Sequence, residues 1–262
     1  MTINMLPTTT DAMSLGIVLP GPSQAERDVP AASAGHCTTI SVVGDGPGYR
    51  MQGESALEQS SQYLLNSMPD VVKLQEQVRF HYGWDPKNLK ERVFDLVATL
   101  GCGSVIACTV KPEVRLVSGK FIADMQEVAW WVEELGFADD VRLITDADMD
   151  PTDLSNAKIF AAVRSVDPEA DEAAMNVVAG LPDSAGRSLR DLTIETELQA
   201  RGYHALIRLL RKRYLRTLQH EVIGPMTIVA LAGSGGGFIP AQRLGVRKVS
   251  SVVSRDEMQA AA

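Results

Sequence analysis

The stretch Lys90-Glu-Arg-Val-Phe-Asp-Leu-Val-Ala-Thr-Leu-Gly-Cys-Gly-Ser-Val-Ile-Ala-Cys-Thr-Val-Lys111 decides the fold of this chain. Arg92 to Leu100 and Ser104 to Lys111 read as two strands, and Gly101-Cys102-Gly103 as the tight turn between them. Asp95 sits in mid-strand between Phe94 and Leu96, where acids are depleted. An acid facing a buried cleft is costly unless it is paired or bound to a metal. Strand side chains alternate between faces, so Thr109 and Lys111 share one. A carboxylate on one strand facing an x-x-Lys on the next can hold a divalent ion beside a lysine. In such an arrangement the residue two before the lysine supplies a second acid or an amide. Here that residue is Thr109.

Outward from the hairpin, each side supplies a helix. Upstream, Glu54 to Asn66 carries apolar residues at helical spacing and stops at Pro69-Asp70. Val71 to Leu74 and Val78 to Trp84 read as extended segments, and Asp85-Pro-Lys-Asn88 as a turn. Downstream, Ser118 to Leu135 is an amphipathic helix with Phe121, Met125, Val128 and Trp131 on its inner side, ended by Gly136. Val141 to Thr145 is a further strand. The order α-β-β-β-α-β over residues 51–150 places the chain in the α/β class with a mixed sheet.

Residues 151–232 have a different texture. Asp153 or Ser155 is positioned to cap a helix through Val163. Pro168 to Ala179, Leu189 to Leu198 and Tyr203 to Arg213 follow as helices. Tyr214 to Gln219 and Met226 to Leu231 read as two short strands around Gly224-Pro225. Helices followed by a small hairpin predict a helical, winged-helix-like second domain. Residues 1–50, rich in Pro, Thr, Ser, Gly and Ala, read as a mobile N-terminal arm with one short strand at Thr38 to Val43. Gly44-Asp-Gly-Pro-Gly48 reads as a turn, because Pro47 removes a backbone donor that a phosphate loop needs. Residues 233–262 read as a flexible tail.

Net charge is −8 and the pI about 5.1. That argues against coating nucleic acid through bulk charge but leaves room for a local basic surface. The three cysteines have no CxxC spacing and the four histidines form no ligand pattern, so neither a zinc site nor a disulfide framework is expected. No apolar run reaches the ~20 residues of a membrane span. The N-terminus lacks a basic segment before its short apolar run. A cytoplasmic protein is expected.

Glu58, on the helix before the hairpin, can join Asp95 and Lys111 in one site. Carboxylate oxygens with retained waters suit Mg²⁺ or Mn²⁺. Such an ion lowers the pKa of a bound water and neutralises phosphodiester charge. A nearby lysine can orient or deprotonate the water and stabilise the developing anion. Glu113 shares the face of Lys111 if the strand continues past Pro112.

At this point the residues resemble a family. Gly53-Glu-Ser-Ala-Leu-Glu58, Pro69-Asp-Val-Val72, Glu76-Gln77, Phe94-Asp95 and Val110-Lys111-Pro112 together resemble the TnsA endonuclease subunit of heteromeric transposases. The resemblance covers about residues 53–146 through these motifs, and about 150–232 through helical, winged-helix-like texture. It implies a restriction-endonuclease-like fold of the PD-(D/E)xK type and an Mg²⁺- or Mn²⁺-dependent cut at transposon ends. It also implies three partners: transposon-end DNA, a DDE-type transposase subunit and an ATPase regulator. Residue by residue, it makes Glu58, Asp95 and Lys111 catalytic. Glu58, Asp95, Thr109 and the Val110 carbonyl become the metal site, and Gln77 a structural member of the Glu-Gln pair. The chain departs from the family at Thr109, where glutamate or glutamine stands. Two other readings follow: a catalytically degenerate nuclease-fold subunit that binds DNA or a partner, or another PD-(D/E)xK nuclease of phage or restriction type.

The basic run Arg201, Arg208, Arg211, Lys212, Arg213 and Arg216 has two readings. Arg208, Arg211, Lys212 and Arg213 can contact DNA phosphates, or the run is a solvated face paired with acids such as Glu195 and Glu197. Leu206, Ile207, Leu209 and Leu210 read as core, and Trp130-Trp131 as packing.

Overall fold

The computed structural model describes residues 18–29, 37–181, 186–233 and 247–250. Among them the chain is α/β, with a mixed five-stranded sheet and six α-helices. A two-stranded ribbon, β1 (Thr39–Val43) and β2 (Tyr49–Gly53), precedes helix α1 (Ala56–Ser67). Then come β3 (Val71–Tyr82), β4 (Lys90–Leu100), β5 (Val105–Val110), α2 (Lys120–Glu134) and β6 (Asp140–Ile144). β5 and β6 are parallel neighbours joined through α2, and the other pairings are antiparallel. The α-β-β-β-α-β order expected from the sequence is the order observed.

The α2 terminus shows why the chain stops there. Gly136 adopts φ +61°, and its N–H reaches the Glu133 carbonyl while that of Phe137 reaches Val132. This doubly bonded ending satisfies carbonyls the helix leaves open. Phe137 then lies against Phe80 and Phe94, with ring centroids 4.7 and 5.7 Å away. Trp130 and Trp131 are buried in the same cluster, as packing residues.

The extended segments expected on either side of residues 75–77 are one strand with a break inside it. Gln77 adopts φ +51°, opposite Asp95 and between the paired residues Glu76–Leu96 and Val78–Phe94. An unbroken pleat would send Leu74 and Phe80 to one face, and Phe94 and Leu96 likewise. Instead Leu74, Leu96 and Ala98 pack beneath α1, while Phe80 and Phe94 pack beneath α2. Both strands change sides at Gln77 and Asp95.

The second module follows: α3 (Pro151–Ala162), α4 (Pro168–Ala179), β7 (Arg187–Ser188), α5 (Leu189–Glu195), α6 (Gln199–Arg211), β8 (Leu215–Thr217) and β9 (Ile228–Leu231). Asp150, not Asp153 or Ser155, caps α3, accepting from the Thr152 and Asp153 N–H groups with Pro151 at the first helical position. The three strands form a sheet in the order β7-β9-β8. Gly202 is where α6 crosses the α5–α6 turn. A Cβ there would stand 1.9 Å from the Thr196 hydroxyl oxygen. Gly-to-Ala normally stabilises a helix interior by about 0.5–1 kcal/mol. Gly202→Ala is expected to do the opposite and lower stability by about 2 kcal/mol. Thr196→Ala in the same chain should recover most of that, read by urea denaturation.

Two sequence expectations change. Residues 18–29 and 37–50 of the expected arm lie on the first module. Arg27 pairs with Glu54 at 2.8 Å, Tyr49 donates to the Leu74 carbonyl, and the Gly44–Gly48 turn docks on Arg164 and Arg211. In that turn Gly48 has φ +69°, and a Cβ would meet the Val43 carbonyl at 2.4 Å. Of the expected tail, residues 247–250 return to the sheet: β10 (Arg247–Lys248) pairs with β6, and Val249 is buried beside α2. The rest of both segments, residues 1–17, 30–36, 234–246 and 251–262, lies outside the described residues. Among the described residues no helix is long and apolar enough to cross a membrane.

Candidate active site

β4 and β5 pair only through Leu96–Cys108 to Thr99–Val105. Continued pairing would bring Asp95 opposite Thr109, but the ladder stops there. The Val110 N–H donates instead to the Asp95 carboxylate at 2.6 Å, and the Thr109 hydroxyl donates to the same oxygen, Oδ2, at 3.2 Å. A side chain has replaced the neighbouring strand as the partner of a buried backbone donor. The strands part at this point, which is also where β3 and β4 change faces.

Glu58 approaches from α1. It is the third residue after the cap Ser55, whose hydroxyl accepts from the Glu58 N–H at 3.1 Å. The Glu58 carboxylate reaches back, Oε2 to the Glu54 N–H at 2.9 Å and Oε1 to the Ser55 hydroxyl at 3.0 Å. This is close to a capping box. Ser55-x-x-Glu58 was therefore a readable signal that fixes the carboxylate at the start of the helix. Gln77 Nε2 adds a third donor at 3.3 Å. Gln77 Oε1 meanwhile accepts from Arg27 Nε at 3.1 Å, so the amide joins the docked arm to Glu58.

Glu58 is only 7% exposed. Burial, and next the charge of Asp95, push its pKa up from the ordinary 4.5 to about 7, against the opposing donors of Glu54 and Ser55. Asp95 is also raised, chiefly by burial, while the Val110 N–H, Lys111, Arg92 and Thr109 pull the other way in that order. The structure thus brings Glu58, Gln77, Asp95, Thr109, Val110 and Lys111 to one place. Lys111 lies just past β5, its N–H bonded to the Ile144 carbonyl and its ammonium 5.6 Å from the centre of the Phe121 ring.

A divalent cation fits part of this set. Two carboxylates, one of them titrating near neutrality because of its burial and then of the other's charge, are a donor pair that a cation would relieve. Asp95 Oδ1 accepts no hydrogen bond from the described residues. Thr109 fits poorly. Its hydroxyl donates to Asp95 and accepts from Arg92 Nη2 at 3.3 Å, so both functions are engaged. Glu113 does not substitute for it. Pro112 ends the strand, Glu113 opens a single 3-10 turn, and its carboxylate holds Arg247 at 3.0 Å.

The basic run is dispersed. Arg208, 6% exposed, is paired with Asp171 at 2.7 Å. Arg211 reaches across to Asp45 at 2.9 Å and to the Asn66 carbonyl at 3.4 Å, tying the two modules together. Arg201 is held by Asp167 and Glu169. Arg208 is buried in its pair, whereas the Arg211–Asp45 pair is a surface contact. The acids involved are not Glu195 or Glu197 but residues far away in sequence. Lys212 is exposed, and Arg213 is half-buried with φ +60°.

Two features escaped the sequence reading. Arg92, on the exposed-looking start of β4, points into the site. Asp150, Asp153 and His220 bring ligand atoms within 4.8 Å of one another. Asp150 is already the α3 cap and His220 already pairs with Asp153 at 2.9 Å, so ordinary capping and ion pairing account for that trio. No family model matches the chain, and no curated protein matches it.

Proposed function

We propose that this chain is a divalent-metal-dependent DNA endonuclease subunit with a restriction-endonuclease-like core, similar to the TnsA subunit of heteromeric transposases. The observation that carries the reading is the parting of β4 and β5 at Asp95. There a helix-borne acid, a strand acid and a lysine converge where the β4–β5 ladder ends. Glu58 and Asp95 would hold Mg²⁺ or Mn²⁺. The ion would supply an acidified water and charge neutralisation at the phosphodiester. Gln77 orients Glu58 through its amide. Lys111 is the residue positioned to take a proton from the attacking water or to steady the developing oxyanion. The helix–strand–helix–helix–strand–strand order of residues 168–231, with sheet order β7-β9-β8, supports a winged-helix second module. Transposon-end DNA, a DDE-type transposase and an ATPase regulator are the partners this reading implies.

Purified protein should nick supercoiled plasmid with Mn²⁺ or Mg²⁺ and not with a chelator. Absence of nicking by the protein, alone and with its partner subunits, would overturn the reading.

A second reading is favoured by Thr109. With its hydroxyl already shared between Asp95 and Arg92, the site has lost a ligand, and the subunit binds DNA or a partner without cutting. Thr109→Gln separates the two readings. Under the second, it should raise Mn²⁺ affinity by about tenfold or more, measured by calorimetry. Under the first, wild-type protein already binds the ion and cuts.

A further inference from the structure

Arg92 and Lys111 have the same unusual setting. The Arg92 guanidinium carbon lies 5.3 Å from the centre of the Phe121 ring, and the Lys111 ammonium lies 5.6 Å from that same centre. Neither forms an ion pair among the described residues, where eight of the fifteen arginines do. Arg92 Nη2 donates to Thr109, Nη1 makes no hydrogen bond there, and Nε is sealed from solvent with no acceptor. Asp95 feels both cations, yet its Oδ2 is engaged by Val110 and Thr109.

Two like charges held at one ring repel each other. An aromatic face returns only about 0.5–1 kcal/mol per cation at an exposed site. A sealed donor without an acceptor costs about 1–3 kcal/mol more. Nε, sealed from solvent, is out of an anion's reach, but Nη1 and the Lys111 ammonium leave a demand that an anion can meet. The guanidinium fork matches two oxygens of a phosphate group, whereas an ammonium meets one as a point charge.

We propose that Arg92 and Lys111, seated on Phe121, form a cradle for one phosphodiester of the DNA backbone beside Asp95. The proposal rests on the nuclease-fold reading above and adds Arg92 to it as the substrate-positioning cation. Phosphate held there lies next to the Asp95 carboxylate. Arg92 also restrains Thr109, so the residue that departs from the family pattern is tied to the phosphate contact rather than to the ion.

The test is DNA binding without cleavage. Fluorescence anisotropy of a short duplex, in chelator and over 50–300 mM salt, compares wild type with Arg92→Gln and Arg92→Lys. Arg92→Gln should weaken binding about tenfold at low salt and lower the slope of log Kd against log salt by about one. Arg92→Lys should keep most of the slope. A purely structural role for Arg92 would lower the melting temperature and leave the slope alone. A folded Arg92→Gln protein with an unchanged slope overturns the cradle, whether or not the wild type nicks DNA. If Arg92→Gln does not fold, Lys111→Gln takes its place: a slope lowered by about one supports the cradle, and an unchanged slope overturns it. Wild type that fails to nick while Arg92→Gln loses the slope keeps the cradle and removes the nuclease.

Discussion

Asp95→Asn is expected to abolish metal-dependent nicking, lowering the rate by roughly a thousandfold or more, about 4 kcal/mol of transition-state stabilisation. The argument is electrostatic. Asp95 is the strand carboxylate at the point where β4 and β5 separate, and its charge is felt by Glu58, Lys111 and Arg92. Under the proposed function, removing it takes away a metal ligand and a negative charge from the site. Asn is the informative replacement because the side chain is also structural. Its Oδ2 accepts the Val110 N–H and the Thr109 hydroxyl. Asp95→Ala would leave a buried backbone donor without a partner, costing about 1–3 kcal/mol of stability, and lost activity would then be ambiguous. Asn keeps the acceptor and loses the charge. A folded Asp95→Asn protein that nicks plasmid at the wild-type rate would take Asp95 out of the chemistry.

The elements that were legible in the sequence are those whose signals are local. Pro168 to Ala179 is bounded by a proline at the first helical position and a glycine after the last residue, and the observed helix has those limits. Helix α2 carries its apolar residues at one spacing and ends at Gly136. Asp95 stands out against its own strand, whereas Glu58 and Lys111 are ordinary on theirs and were singled out by their order with Asp95 and by the family resemblance. What was not legible depends on distant contacts. Nothing near Gln77 announces φ +51°, because the kink exists only where β3 opposes Asp95 on β4. Residues 18–29 have no periodicity, yet Ser23 and Arg27 find Glu76 and Gln77 some fifty residues on. Arg208 looked like a surface cation on a basic helix. Its partner Asp171 lies 37 residues earlier, and only the packing of α6 on α4 brings them together. Arg92 carries no local signal either, since a basic residue near a strand end is ordinary until Phe121 is seen beneath it.

The burial that hides Glu58 gives a stability signature, expected to be the second largest effect. In the folded chain its carboxyl titrates near 7, against 4.5 for the ordinary group, because burial and then Asp95 oppose ionisation. Between those values the folded state holds a proton that the unfolded state has released. Stability therefore falls as pH rises from about 4.5 to about 7, and the full cost, about 3 kcal/mol, is present above that. Glu58→Gln removes this dependence. Its amide oxygen can still accept from the Glu54 N–H and from Gln77 Nε2, and its NH₂ can donate to the Ser55 hydroxyl. The variant and the wild type should therefore be nearly equally stable near pH 4.5, and the variant more stable by about 3 kcal/mol at pH 8, read by urea denaturation at both pH values. A stability difference that is the same at both would show that Glu58 does not titrate as its burial dictates. The ion should reverse the ranking. Millimolar Mn²⁺ at pH 8 stabilises the wild type, whose two carboxylates it neutralises, and leaves Glu58→Gln and Asp95→Asn nearly unmoved. Equal Mn²⁺ stabilisation of all three proteins would place any bound ion elsewhere, with the Asp150, Asp153 and His220 trio the first site to mutate.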